Sequence, residues 1–228
     1  MAQNTGNAKN ILVGASPLFI SNIDVTDADY VENAEPGVGD YAYIVGESFT
    51  KTLNDIDQVA GDFGYRNVGY TNNGLQVTYN PSYGSVTVDQ LLDTAKLFKE
   101  SMEVMIATEM AEGTLENVLA VFGQRSTTLA SSGTGTGATD KLGLAGGALG
   151  EAPTERQLIA VGQAPTSEAT ATERVYYARR VLSVQQSQFS LARNAASTFP
   201  VTFRLLPSGD SANAGQEYGF IVDRVLTV

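Results

Sequence analysis

Strict alternation of apolar and polar residues along much of this chain is its tightest constraint. Leu75, Val77 and Tyr79 alternate with Gln76, Thr78 and Asn80, the period of a strand with one buried face. Asn80-Pro81-Ser82-Tyr83-Gly84 reads as a turn, because proline presets one dihedral and glycine accepts positive φ. Val86 and Val88 then alternate with Ser85, Thr87 and Asp89, so the spacing predicts a hairpin. A second alternation puts Phe98, Met102, Val104, Ile106 and Met110 on one face, with Lys99, Ser101, Glu103 and Glu109 opposite. Leu91, Leu92, Ala95, Phe98, Met102, Met105 and Ile106 also fit a helical stripe. The β-branched content favours a loop through Asp93 and a strand from Leu97.

After Gly113, the period changes. Leu115, Val118, Leu119 and Phe122 fall at i, i+3, i+4 and i+7, predicting a helix over about 114–123 with these four as its core face. Thr114 is the expected N-cap, Glu116 suits the positive end of the dipole, and Glu116 and Asn117 are expected to tolerate alanine. Short strands are also expected at 10–14, 18–20 and 41–45, at Leu158–Gly162, Glu173–Val184 and Phe199–Leu205, and from Tyr218 to Leu226, with a weaker candidate at Gln188–Arg193. Both faces of Glu173–Val184 are partly apolar, as in a strand covered on two sides. Pro200 suits only the start or edge of its strand. The fold class expected is mainly β (α+β): a sandwich or barrel of short antiparallel strands, one flanking helix and long loops, in a single domain over 1–228.

Three groups of residues carry a family likeness. They are Val68-Gly69-Tyr70-Thr71 with Asn72-Asn73-Gly74-Leu75, the triplet Val88-Asp89-Gln90, and the run Met110-Ala111-Glu112-Gly113-Thr114-Leu115-Glu116-Asn117-Val118. In this order and spacing the chain resembles the tail tube (major tail) proteins of tailed bacteriophages. The resemblance implies a β-sandwich or barrel with one flanking helix, assembled into hexameric rings that stack as a hollow tube and conduct the genome. It also implies a place in the virion tail after assembly in the host cytoplasm, beside tape-measure, tail-tip and terminator proteins.

Composition removes most chemistry. The chain has no Cys and no His, which excludes disulfides, thiolate catalysis, imidazole ligands and the usual general base. The apolar run from Ile11 to Ile20 holds Gly14, Ser16 and Pro17, is too short to span a bilayer and follows only Lys9. A soluble intracellular product without membrane insertion is therefore expected, with a mobile stretch at 1–9.

The net charge of −11 is unevenly placed. Residues 1–116 hold 17 Asp and Glu against 5 Lys and Arg, and residues 117–228 hold 8 against 9. Between Asp24 and Asp62, ten acids face Lys51 alone. With little apolar surface to offset ordering entropy, 24–62 reads as a long acidic arm that orders against adjacent copies. Asp24, Asp27, Asp29, Glu32, Glu35, Asp40 and Glu47 are then candidate inter-subunit groups, with Arg174, Arg179 and Arg180 as candidate partners. A solvated acidic surface is the plainer reading of the same charges. Asp24, Asp27 and Asp29 lack the spacing and glycine of a calcium loop.

Residues 126–150 are Gly/Ala/Thr-rich and nearly uncharged. Gly133, Gly135 and Gly137 have neither the preceding strand nor the GK[ST] ending of a phosphate loop, so an exposed or flexible connection is expected.

Three function classes remain. A self-assembling tube subunit needs no catalytic group and no cofactor. On that reading Asp89, Glu103 and Glu109, on the polar sides of the hairpin and long strand, are candidate lumen-facing acids that repel DNA phosphates. Facing solvent or pairing with Lys96 and Lys99 is their alternative role. A β-sandwich carbohydrate-binding or adhesin module would use tyrosines as sugar platforms. A hydrolase would need two carboxylates in one cleft.

Overall fold

The computed structural model describes residues 16–21, 65–91, 93–165, 172–185, 187–189, 193–194 and 196–225. The expectations for 1–9, for strands at 10–14 and 41–45, and for the arm at 24–62 lie outside these residues. The described chain is mainly β. Its strands are β1 (Leu18–Ser21), β2 (Tyr65–Asn67), β3 (Thr71–Thr87), β4 (Thr94–Met110), β5 (Leu129–Ser132), β6 (Thr139–Leu142), β7 (Arg156–Gln163), β8 (Thr172–Ser183), β9 (Phe199–Leu205) and β10 (Gly219–Val225). One α-helix, α1 (Leu115–Val121), follows β4.

Eight strands form one antiparallel sheet in the order β2-β1-β7-β8-β9-β4-β3, with β10 on β8. The outermost strands of that path, β2 and β3, are joined by only three residues, Val68 to Tyr70. Such a link spans at most about 14 Å, so the sheet has to curl until its ends meet. Val68 N donates to Leu18 O at 3.0 Å and Ala111 N to Tyr70 O at 2.8 Å, fastening the link to both ends. The curled sheet encloses one core, with Leu18, Ile20, Leu158, Ala160, Ala178 and Val181 opposite Val104, Ile106, Met110 and Phe203. Ala120 and Val121 of α1 join that core.

The other face of β7 and β8 is buried too, through Phe19, Ile159, Val161, Val175 and Tyr177. This agrees with the two-sided reading of Glu173–Val184. Along β8 the sheet forks: residues 172–178 pair with β10, and Val181–Ser183 pair with β9.

Four expectations need correction. The turn is not at Asn80–Gly84; β3 runs through it to Thr87 and the hairpin reverses before β4 begins at Thr94, with Leu91 N donating to Val88 O at 3.1 Å. Pro81 sits opposite Met102 inside the ladder. β3 has no strand on its other side among the described residues, and an edge strand tolerates a missing N–H. The strand expected from Leu97 is β4, which starts three residues earlier at Thr94, so the alternative helical stripe does not form; Asp93 lies just before it, outside the strand as expected.

The core face of α1 is rotated. Asn117, Leu119, Ala120 and Val121 are buried, Leu115 and Val118 are half-buried, and Phe122 is exposed at the C-cap. The expected cap does form, with Asn117 N donating to Thr114 Oγ1 at 3.3 Å. Residues 126–150 are not simply a loop, since β5 and β6 pair across 133–138. Gly133 and Gly135 take positive φ there, as a tight reversal requires. No strand occurs at 187–189 or 193–194.

Candidate assembly surfaces

The β3–β4 hairpin outgrows the body of the protein. Each strand is 17 residues long, and β4 is paired to β9 only from Met105 to Met110. Burial follows the pairing: Met110, Ile106 and Val104 are buried, Met102 is half-buried, and Thr94 to Ser101 are all exposed. The distal part is thus a two-stranded ribbon, a form that is marginal in water without a further layer.

Its side chains are not those of a solvated ribbon. Tyr83 is 60% exposed, Leu97 65% and Phe98 45%. Tyr83 lies opposite Lys99 and Ser85 opposite Leu97 on one face, while Phe98 lies opposite Gly84 on the other. A Cβ at Gly84 would run into the Phe98 ring and the Glu100 carboxylate, so those side chains lie directly across this glycine. Apolar surface is therefore presented on both faces.

The fork in β8 leaves a cleft between β10 and the proximal hairpin, about 550 Å³ in volume. Val77, Tyr79, Met102, Tyr218, Phe220 and Ile221 line it. Gly219 sets how close β10 comes to β8, because a Cβ there would collide with the Tyr177 carbonyl, and its φ of 132° disfavours other residues. Behind this wall, Arg179 is buried with its guanidinium carbon 5.5 Å from the Tyr177 ring centroid and 5.8 Å from that of Phe220. Its Nε donates to Gln216 O at 3.1 Å.

Arg174 and Asp223 clamp the two strands by paired bonds of 2.5 and 2.6 Å. That hydrogen bonding lowers the Asp223 carboxyl below its ordinary value and raises the Arg174 guanidinium above its own. The Glu217 carboxyl, at the rim, is also lowered, chiefly because the Gly215 backbone N–H donates to it at 2.9 Å.

The three candidate lumen acids do not converge. Asp89 is exposed in the reversal at the hairpin tip. Glu103 and Glu109 share one face of β4 but have different surroundings. Glu103 lies 3.8 Å from Arg204 rather than beside Lys96 or Lys99. Glu109 accepts from Asn72 Nδ2 at 3.2 Å, Asn73 Nδ2 at 2.5 Å and Thr198 Oγ1 at 2.8 Å, which ties down the irregular start of β3.

The three candidate arginine partners are engaged within the chain. Arg174 holds Asp223, Arg180 forms 2.6 and 3.0 Å bonds to Glu155, and Arg179 is 1% exposed. Buried Arg179 cannot meet a neighbour's acids, so that expectation is corrected. Asp24, Asp27, Asp29, Glu32, Glu35, Asp40 and Glu47 lie outside the described residues.

Sequence reasoning missed two features. One is the cleft, which depends on the fork in β8 and has no local signature. The other is a polar knot at α1, where Asn117 Nδ2 donates to Val68 O at 2.8 Å and Glu112 O at 2.9 Å. Arg66 donates to Asn117 Oδ1 at 2.6 Å and to Glu116 O at 2.7 Å, and burial pushes its guanidinium down to about 10. Among the described residues no cluster of three or more Asp or Glu could hold a metal ion. No protein-family model matches the chain, and no curated protein matches it either.

Proposed function

We infer that the chain is a structural subunit that assembles with copies of itself into stacked hexameric rings, the hollow tail tube of a tailed bacteriophage. The observation that carries this reading is the β3–β4 hairpin, whose distal half exposes apolar side chains on both faces with no layer over them among the described residues. A contiguous apolar surface of that kind marks an interaction site. A chain without Cys or His suits a scaffold better than a catalyst. The resemblance of residues 68–75, 88–90 and 110–118 to tail tube proteins supplies the specific form of the assembly.

In that assembly the genome passes through the lumen without specific binding, and the charge of −11 per subunit keeps phosphates off the wall. The subunit resides in the virion tail, beside tape-measure, tip and terminator proteins. Size-exclusion chromatography with negative-stain imaging tests the reading. Rings or tubes are expected. Compact monomers that bind glycans would replace it with the carbohydrate-binding module.

A further inference from the structure

A polar pit opens on the face of β4 that turns away from the core, between β3 and β9. Ala107 pairs with Gln76 on β3 and with Thr202 on β9, and alternation along β4 puts Met105 and Glu109 on the same face. All four neighbours are longer than alanine, so a hollow is left over its methyl group. The irregular start of β3 forms one rim: Asn73 and Gly74 both take positive φ, and the register shifts between Asn72 and Gln76. Gln185 and Ser187, just after β8, line the side toward β9. The pit holds about 290 Å³, at the small end of ligand sites.

Its lining selects by charge. Glu109 is the one ionisable group there. That carboxylate repels anions, and three side chains already donate to it, so a cation would have to displace them. No lining residue is aromatic, so a nucleobase finds no ring to stack on. The remaining polar groups are neutral, and several are unspent. Thr202 Oγ1 donates to Gln185 Oε1 at 2.8 Å, which leaves the Gln185 NH2 to donate elsewhere. Ser187 Oγ is buried with no hydrogen-bond partner among the described residues, a state that costs free energy. Ala107, Val201 and Pro200 supply apolar surface.

Neutral donors and acceptors around an apolar floor match a ring with hydroxyls on its rim and C–H groups on its face. We propose that this pit binds one pyranose sugar, free or at the end of a glycan. Ala107 and Pro200 lie under the ring, and Gln76, Gln185 and Ser187 meet its hydroxyls. The site is built within a single chain and does not rest on the assembly reading.

Saturation-transfer NMR on the full-length chain tests it, with glucose, galactose, mannose and N-acetylglucosamine as probes, each as free sugar and as methyl glycoside. At least one should bind with a Kd of roughly 1 mM, as suits so small and open a site. Signal from the glycoside assigns the pit to glycan ends, and signal from the free sugar alone to a soluble ligand; either supports the proposal. Ala107→Leu fills the hollow from the face away from the core, and should weaken binding at least about tenfold while the melting temperature holds. Should that variant misfold, Gln185→Ala, at an exposed position, takes its place with the same loss expected. Glycerol is the control for unselective polar contact. No signal from any sugar at about 50 mM, wild-type binding by the folded variant, or equal binding of glycerol overturns the proposal.

Discussion

The side-chain amide of Asn117 donates to the backbone carbonyl of Val68 at 2.8 Å, across 49 residues of sequence. Val68 belongs to the three-residue link that brings the ends of the sheet together, so this bond fastens α1 to the closure of the fold. Asn117→Ala would leave the carbonyls of Val68 and Glu112 and the Arg66 guanidinium short of a partner. A loss of about 2–4 kcal/mol is expected in urea unfolding, against less than about 1 kcal/mol for Phe122→Ala at the exposed C-cap. Equal losses at the two positions would refute this orientation of the helix.

Gly219 is the second position where one atom decides. Alanine there meets the Tyr177 carbonyl and takes an unfavourable φ, for an expected cost of roughly 2–4 kcal/mol. Gly135 is the control: its φ is also positive, but no atom lies within 4 Å of the added Cβ, so Gly135→Ala should cost only about 1 kcal/mol. Thermal melts of both variants would separate the clash from the dihedral strain.

Asp223 should leave a mark on acid stability. Its carboxyl is lowered in the folded state by Arg174, so its contribution is complete above the ordinary carboxylate value near 4. It is lost as pH falls through that value and then through the lower folded one. The pair is partly exposed, so the contribution is about 0.2–1 kcal/mol and weakens with salt. Asp223→Asn should be less stable than wild type at pH 7, the two converging at low pH. A gap independent of pH would mean that the substitution acts by other means.

Glu103 and Glu109 are expected to respond differently to reversal. Glu109→Lys breaks two hydrogen bonds to the start of β3 and one to Thr198 beside β9, and should destabilise the fold by about 2–4 kcal/mol. Glu103→Lys loses only a long contact to Arg204 and should change stability by less than about 1 kcal/mol. That makes Glu103 the residue for testing lumen charge: on the tube reading, assembled tails carrying Glu103→Lys deliver DNA more slowly. Normal delivery would remove Glu103 from the lumen wall.

What could be read in advance divides along a physical line. Alternation placed β4 and β7 to β10, because burial of one or both strand faces is written in neighbouring residues. The Thr114 cap was equally legible, since its bond spans three residues. The tip of the hairpin was not, because Pro81 is tolerated on an edge and nothing local announces which strand lies at an edge. Asn117 read as a surface residue because its partners, Arg66 and Val68, come from another part of the chain. Arg179 was misjudged for the same reason: Gln216 and the Phe220 ring come to it only once the sheet has formed.

The central claim is that this chain is completed by copies of itself. Negative-stain electron microscopy of the purified full-length protein across a concentration series tests it most directly. Rings of uniform diameter that stack into hollow tubes are the predicted result. Single compact particles at every concentration, with the hairpin still folded, would contradict it.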